Sequence, residues 1–190
     1  MYEVRLRNGT CIYTSEIFRV ADEYHERLPA NRDPAEPEVF TGMVHHIHAE
    51  LFSGDRRPDL NDLQGLDNIW TAYTQLCASS KQIPTMIEFA SLIGCDRTTF
   101  QKWENGTIRG NDADRISTVK RWKTMCEAGL ARKTIAANSI GAIFALKSNY
   151  GWKEAVATPE EPIQQIEQAS VAEIMARHAD AVLPQKPELD

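Results

Sequence analysis

Residues 83–105 read IPTMIEFASLIGCDRTTFQKWEN, and their types fall where two short crossing helices need them. Pro84 suits a first helical turn, because the N–H it lacks has no intrahelical partner there. Thr85 to Leu92 can then form a helix that carries Ile87, Phe89, Ala90 and Ile93 inward. Gly94 stops it, since glycine accepts the left-handed backbone of a C-terminal cap. Asp96 can accept the first N–H groups of a second helix, on which Phe100 and Trp103, three apart, share one face. Arg97, Thr98, Gln101, Lys102 and Asn105 then point outward, a set rich in donors for phosphates and base edges. The spacing predicts a helix-turn-helix with a DNA-reading second helix. A structural helical corner with a solvated polar face has the same spacing.

Working upstream, Leu66 to Ser79 repeats Leu66, Ile69, Trp70, Tyr73, Leu76 and Cys77 at helical intervals and is expected to pack as a third helix under this pair. Ser53 to Gly65, with GDRRPD and NDLQG, reads as a polar loop, and Val39 to Leu51 as a helix with Val39, Phe40, Met43, Val44, Ile47 and Leu51 on one stripe. Pro29 to Pro37 is a proline-rich acidic connector. Ser15 can cap a helix running to Leu28, and Tyr2 to Tyr13 holds Asn8-Gly9 between short apolar runs, a strong hairpin signal.

Downstream, Gly106 to Gly110 is a loop, and a long helix is expected from Asp112 to Ala137 on a seam of Ile116, Val119, Trp122, Met125, Cys126 and Leu130. Arg115, Lys120, Arg121, Lys123, Arg132 and Lys133 decorate it, as phosphate contacts, as spacers between copies of the helix in an oligomer, or as an ordinary solvated surface. Asn138-Ser139 interrupts, and Ile140 to Ser148 resumes as a short helix. Ala155 to Pro162 is an acidic linker, and Ile163 to Ala179 can form an amphipathic helix that docks a partner or folds back.

The chain thus reads as mainly α, in four segments: 1–37, hairpin, helix and linker; 38–110, helix-turn-helix domain; 111–154, helical oligomerisation region; 155–190, linker and docking helix. With 190 residues and 42% hydrophobic content it can bury a core. The net charge of −6 hides an asymmetry: 12 basic and 7 acidic residues between Lys81 and Glu154 leave that region at +5 and the rest at −11. No apolar run of about 18 residues and no secretion signal is present, so a cytoplasmic protein is expected. The four cysteines are scattered without a CxxC pair, which argues for reduced thiols. His45, His46 and His48 invite a metal reading, but on a helix His45 and His46 diverge by about 100°. The carboxylate pairs Asp59/Asp62 and Asp112/Asp114 each sit in a loop or helix start with no complementary His, Lys or third acid, and read as caps and solvated charge. No cofactor is expected, and the lack of GxxxxGK[ST] argues against a nucleotide motor.

The block NSIGAIFALKSNYGWKE, residues 138–154, resembles the end of the helical region in small terminase subunits of tailed bacteriophages and prophages. In that family a helix-turn-helix of the form IPT…FA…LG…TTF.KWE precedes a long helix and this signature, and both parts stand here in that order, over roughly Leu66 to Glu154. The resemblance implies a non-enzymatic DNA-packaging protein that binds double-stranded viral DNA, forms a ring-like homo-oligomer and delivers DNA to a large terminase subunit with ATPase and nuclease activity. By motif position, Arg97, Thr98, Gln101 and Lys102 match the family's DNA-reading face, with Lys120, Arg121 and Lys123 as the second choice. The alternative is a prophage transcriptional regulator using the same motif. Ile143, Phe144, Leu146, Tyr150 and Trp152 are expected to clamp the short helix to its long neighbour.

Overall fold

The computed structural model describes residues 2–108, 112–137 and 139–153, the side chain of residue 137 excepted. The expected linker and helix over 155–179 and the break at Asn138 lie outside them. The described part begins with strands β1 (Glu3–Arg5) and β2 (Cys11–Tyr13), paired antiparallel with Val4 opposite Ile12 and both buried. Seven helices follow: α1 (Thr14–Glu26), α2 (Pro37–Leu51), α3 (Leu63–Ser79), α4 (Met86–Ile93), α5 (Arg97–Glu104), α6 (Ala113–Ala137) and α7 (Ile140–Tyr150). None of the described helices is long and apolar enough to cross a membrane.

Side-chain caps fix most helix starts. Asp62 accepts the Gly65 N–H at 3.0 Å at the head of α3, and Thr85 accepts that of Glu88 at 3.1 Å at the head of α4. Pro84 therefore stands just before the cap, one step upstream of the expected first turn. Pro37 occupies the first turn of α2. Ser15 is not a cap: α1 starts at Thr14, whose hydroxyl instead accepts the Tyr2 N–H at 3.2 Å and ties the helix to the hairpin.

One hydrophobic cluster runs from Val4 to Cys126, joining the hairpin, α1 to α5 and the first half of α6. Its centre is aromatic. Trp70 stacks on Trp122 with centroids 5.4 Å apart, and Phe89 meets both edge-on at 4.9 and 5.1 Å. Phe100 lies 5.7 Å from Phe89, and Trp103 5.6 Å from Phe100. Such ring pairs add roughly 0.5–1.5 kcal/mol each beyond the area they bury. The long helix is thus part of the core that supports α5.

Three expected faces differ. Ile87 is 62% exposed, because Phe89, Ala90, Leu92 and Ile93 fix the inward side of α4 and residue 87 falls about 140° from their mean. Phe144 is 71% exposed and Ile143 and Trp152 partly so: α7 buries only Ala142 and Leu146, and residue 144 is about 200° round from residue 142. The clamp on α6 consists of Ala142, Leu146 and the half-buried Tyr150, while the Trp152 indole N–H donates to Glu127 at 2.6 Å. On α6 Met125 is exposed and Arg115 buried, the reverse of the expected seam.

Candidate nucleic-acid interface

The connection between α4 and α5 is Gly94-Cys95-Asp96. Gly94 takes φ 67°, and its N–H and that of Cys95 close onto the carbonyls of Ser91 and Ala90 at 3.2 and 3.0 Å. A Cβ at this position would stand 2.6 Å from His48 Cε1, so glycine is required by space as well as by backbone. The His48 ring is held there through Nδ1, 3.0 Å from the Leu92 carbonyl oxygen. His48 is thus a packing residue of the turn, not a neighbour of His45 and His46 in a ligand set.

Asp96 caps α5 by accepting the Thr98 N–H at 2.7 Å, a contact that holds its carboxyl below the usual carboxylate range. Phe100 and Trp103, 3% and 1% exposed, pin the helix from beneath. At about 100° per residue the opposite side carries Thr98, Gln101, Lys102 and Asn105, with Arg97 on one flank and Thr99 on the other. Arg97, Gln101, Lys102 and Asn105 are exposed and Thr98 half-buried, as the spacing predicts. Donors from four consecutive outward positions therefore share one surface, the arrangement that base edges and phosphates can use.

The second set does not hold together. Phased on the buried Arg115, Val119, Trp122 and Cys126, Lys120 and Lys123 fall on one side of α6 and Arg121 on the other. Arg121 Nη2 donates to Asp67 at 2.7 Å, and the same carboxylate oxygen accepts the Trp122 indole N–H at 2.9 Å. Lys123 Nζ donates to both oxygens of Glu104 at 2.9 and 2.7 Å. Arg121 makes its ion pair while 54% exposed and Lys123 makes its own half-buried; Lys120 is exposed with no ion pair among the described residues.

Arg115 is the positioning residue that sequence reasoning missed. Its guanidinium lies 4.6 Å from the Trp103 ring centroid, Nε donates to Asp112 at 3.2 Å and Nη1 to the Leu60 carbonyl at 2.9 Å. A buried cation thus joins α6, the underside of α5 and the loop before α3. The Asp112–Arg115 spacing of three was a readable signal; its contact with Trp103 was not. On the Arg97 flank a groove of about 280 Å³ opens between the start of α4, α5, α6 and α7, floored by Phe100, Leu130 and Tyr150. No protein-family model matches the chain, and neither does any curated protein or solved structure.

Proposed function

We propose that this chain is a small terminase subunit of a tailed bacteriophage or prophage. It binds viral double-stranded DNA through α4 and α5 acting as a helix-turn-helix, assembles into a ring and passes the DNA to the large terminase subunit, which supplies ATPase and nuclease chemistry. The observation that carries the reading is the outward side of α5: Arg97, Gln101 and Lys102 are exposed while Phe100 and Trp103 anchor the helix to an aromatic core. A rigid, cationic, donor-bearing helix is what a major groove admits.

Self-association is supported by the far end of the molecule. Ile135, Ile140 and Phe144, 84%, 82% and 71% exposed, spread apolar surface over the α6–α7 hairpin. Copies joined head to tail through such a surface form a ring where the rotation between neighbours closes, and several weak grips on one duplex multiply. Native mass spectrometry with and without a duplex tests the reading. A closed assembly of about eight or more copies that retains DNA is expected. A dimer that binds paired half-sites would favour the prophage regulator instead. A monomer that ignores duplex would contradict both.

A further inference from the structure

Residues 1–58 have no part in the proposed DNA contact, yet they place two arginines beside the turn that leads into α5. Arg7 precedes the Asn8-Gly9 hairpin turn and Arg57 precedes Pro58. Their backbones are paired: the Arg7 N–H donates to the Arg57 carbonyl at 2.8 Å, Leu6 bridges to Pro58, and the Asp59 N–H donates to the Arg5 carbonyl at 2.9 Å. The hairpin and the loop before α3 are thus stitched into one ledge. Both arginines are exposed, and both line a cleft of about 200 Å³ whose other wall is Gly94, Asp96 and Thr99. Arg57 Nε lies 3.4 Å from where a Cβ on Gly94 would be.

Backbone pairing sets residues 7 and 57 side by side; neither makes an ion pair among the described residues. Asp96, on the opposite wall, accepts from Thr98, and Asp59 accepts the Asn61 N–H at 2.9 Å; both keep their charge, and two arginines against the one carboxylate lining the cleft leave it net positive. The cleft lies on the Thr99 side of α5, about 60° round the helix from Lys102. Two exposed guanidinium groups in a cleft of net positive charge, beside the helix proposed to read a groove, match a polyanion with regularly spaced phosphates.

We propose that Arg7 and Arg57 form a second DNA contact, a ledge that grips the sugar-phosphate backbone flanking the groove entered by α5. The contact rests on the DNA-binding reading above and extends its footprint to the N-terminal hairpin. It adds affinity and orientation without sequence information.

The test is fluorescence anisotropy of a mixed-sequence 40-bp duplex titrated at several salt concentrations with the unaltered protein and three double variants. The Gln changes keep the side-chain stems and leave the backbone pairing intact. Arg7→Gln with Arg57→Gln is expected to lower the slope of log K against log salt by about 1.8, two contacts at about 0.9 each, and to weaken binding roughly ten-fold or more at 0.1 M salt. Arg7→Lys with Arg57→Lys should restore most of the slope, which a fold defect would not allow. Unchanged slope in the Gln variant, with loss in Arg97→Ala/Lys102→Ala, overturns the ledge and leaves the α5 reading standing. Loss in the Gln variant alone overturns the α5 reading and keeps Arg7 and Arg57 as a DNA contact that flanks no α5-filled groove. No duplex binding by the unaltered protein overturns both.

Discussion

Trp103→Ala removes the ring that fastens α5 to the rest of the molecule. The side chain is 1% exposed, meets Phe100 edge-on at 5.6 Å and carries the Arg115 guanidinium on its face at 4.6 Å. Truncating a buried tryptophan to alanine costs about 3–5 kcal/mol, because the cavity only partly collapses. Loss of the cation–π contact adds about 1 kcal/mol, since Arg115 keeps Asp112 and the Leu60 carbonyl as partners. The total, about 4–6 kcal/mol, is a large share of the roughly 5–15 kcal/mol that holds a domain folded. At about 2–4 °C per kcal/mol it lowers Tm by roughly 10–20 °C. Urea unfolding followed by circular dichroism reads it as a lower midpoint at unchanged slope. Asp22→Ala, at an exposed site on α1, is the control and should change stability by less than about 0.5 kcal/mol. A Trp103→Ala protein as stable as the Asp22→Ala control would mean that α5 faces the other way.

Three further outcomes are expected. In a thiol-labelling time course at pH 8, Cys11 should react first, because it is exposed even though its hydrogen bond with Glu3 raises its thiol, whereas burial pushes the Cys77, Cys95 and Cys126 thiols up to about 12; tryptic mass mapping showing Cys95 ahead of Cys11 would contradict this. The Asp96 cap has a carboxyl held low in the folded chain, so its stabilisation is present above the unfolded carboxylate range and fades as pH falls through the folded value. The Tm gap between the natural protein and Asp96→Ala should accordingly be open at pH 7 and shrink below about pH 4; a gap independent of pH would remove the charge from the explanation. Replacing Ile140 and Phe144 with serine should leave Tm within about 2–4 °C while reducing the assembly mass in light scattering, and an unaltered mass would take self-association off that surface.

How far this was legible depended on whether a residue type admits one local role. Gly94 and Asp96 do: a left-handed cap and an N-cap follow from their chemistry, and both stand where the spacing predicts. Phe100 and Trp103 were readable for a related reason, since α5 has no other large apolar residues to compete for its inner face. α4 and α7 were harder because apolar residues occur on every side, leaving the phase to tertiary packing; Ile87 and Phe144 were misplaced on that account. Charges on α6 were read as outward by default, but Asp67 and Glu104, 54 and 19 residues from Arg121 and Lys123 in the chain, claim those two, and no local pattern announces a partner so distant. Arg115 was hidden by the same assumption. Its burial needs Trp103 above it and the Leu60 carbonyl at its tip, both supplied by the fold alone.

The claim on which the account turns is that the outward side of α5 touches duplex DNA. A photo-crosslinking amino acid at Gln101, exposed at the centre of that side, compared with one at Asp22, exposed on α1, tests it directly. Irradiation with labelled duplex should yield a covalent protein–DNA adduct from position 101 that is lost in competing unlabelled duplex, and none from position 22. Equal yields from both positions, or an adduct from position 22 alone, would contradict it.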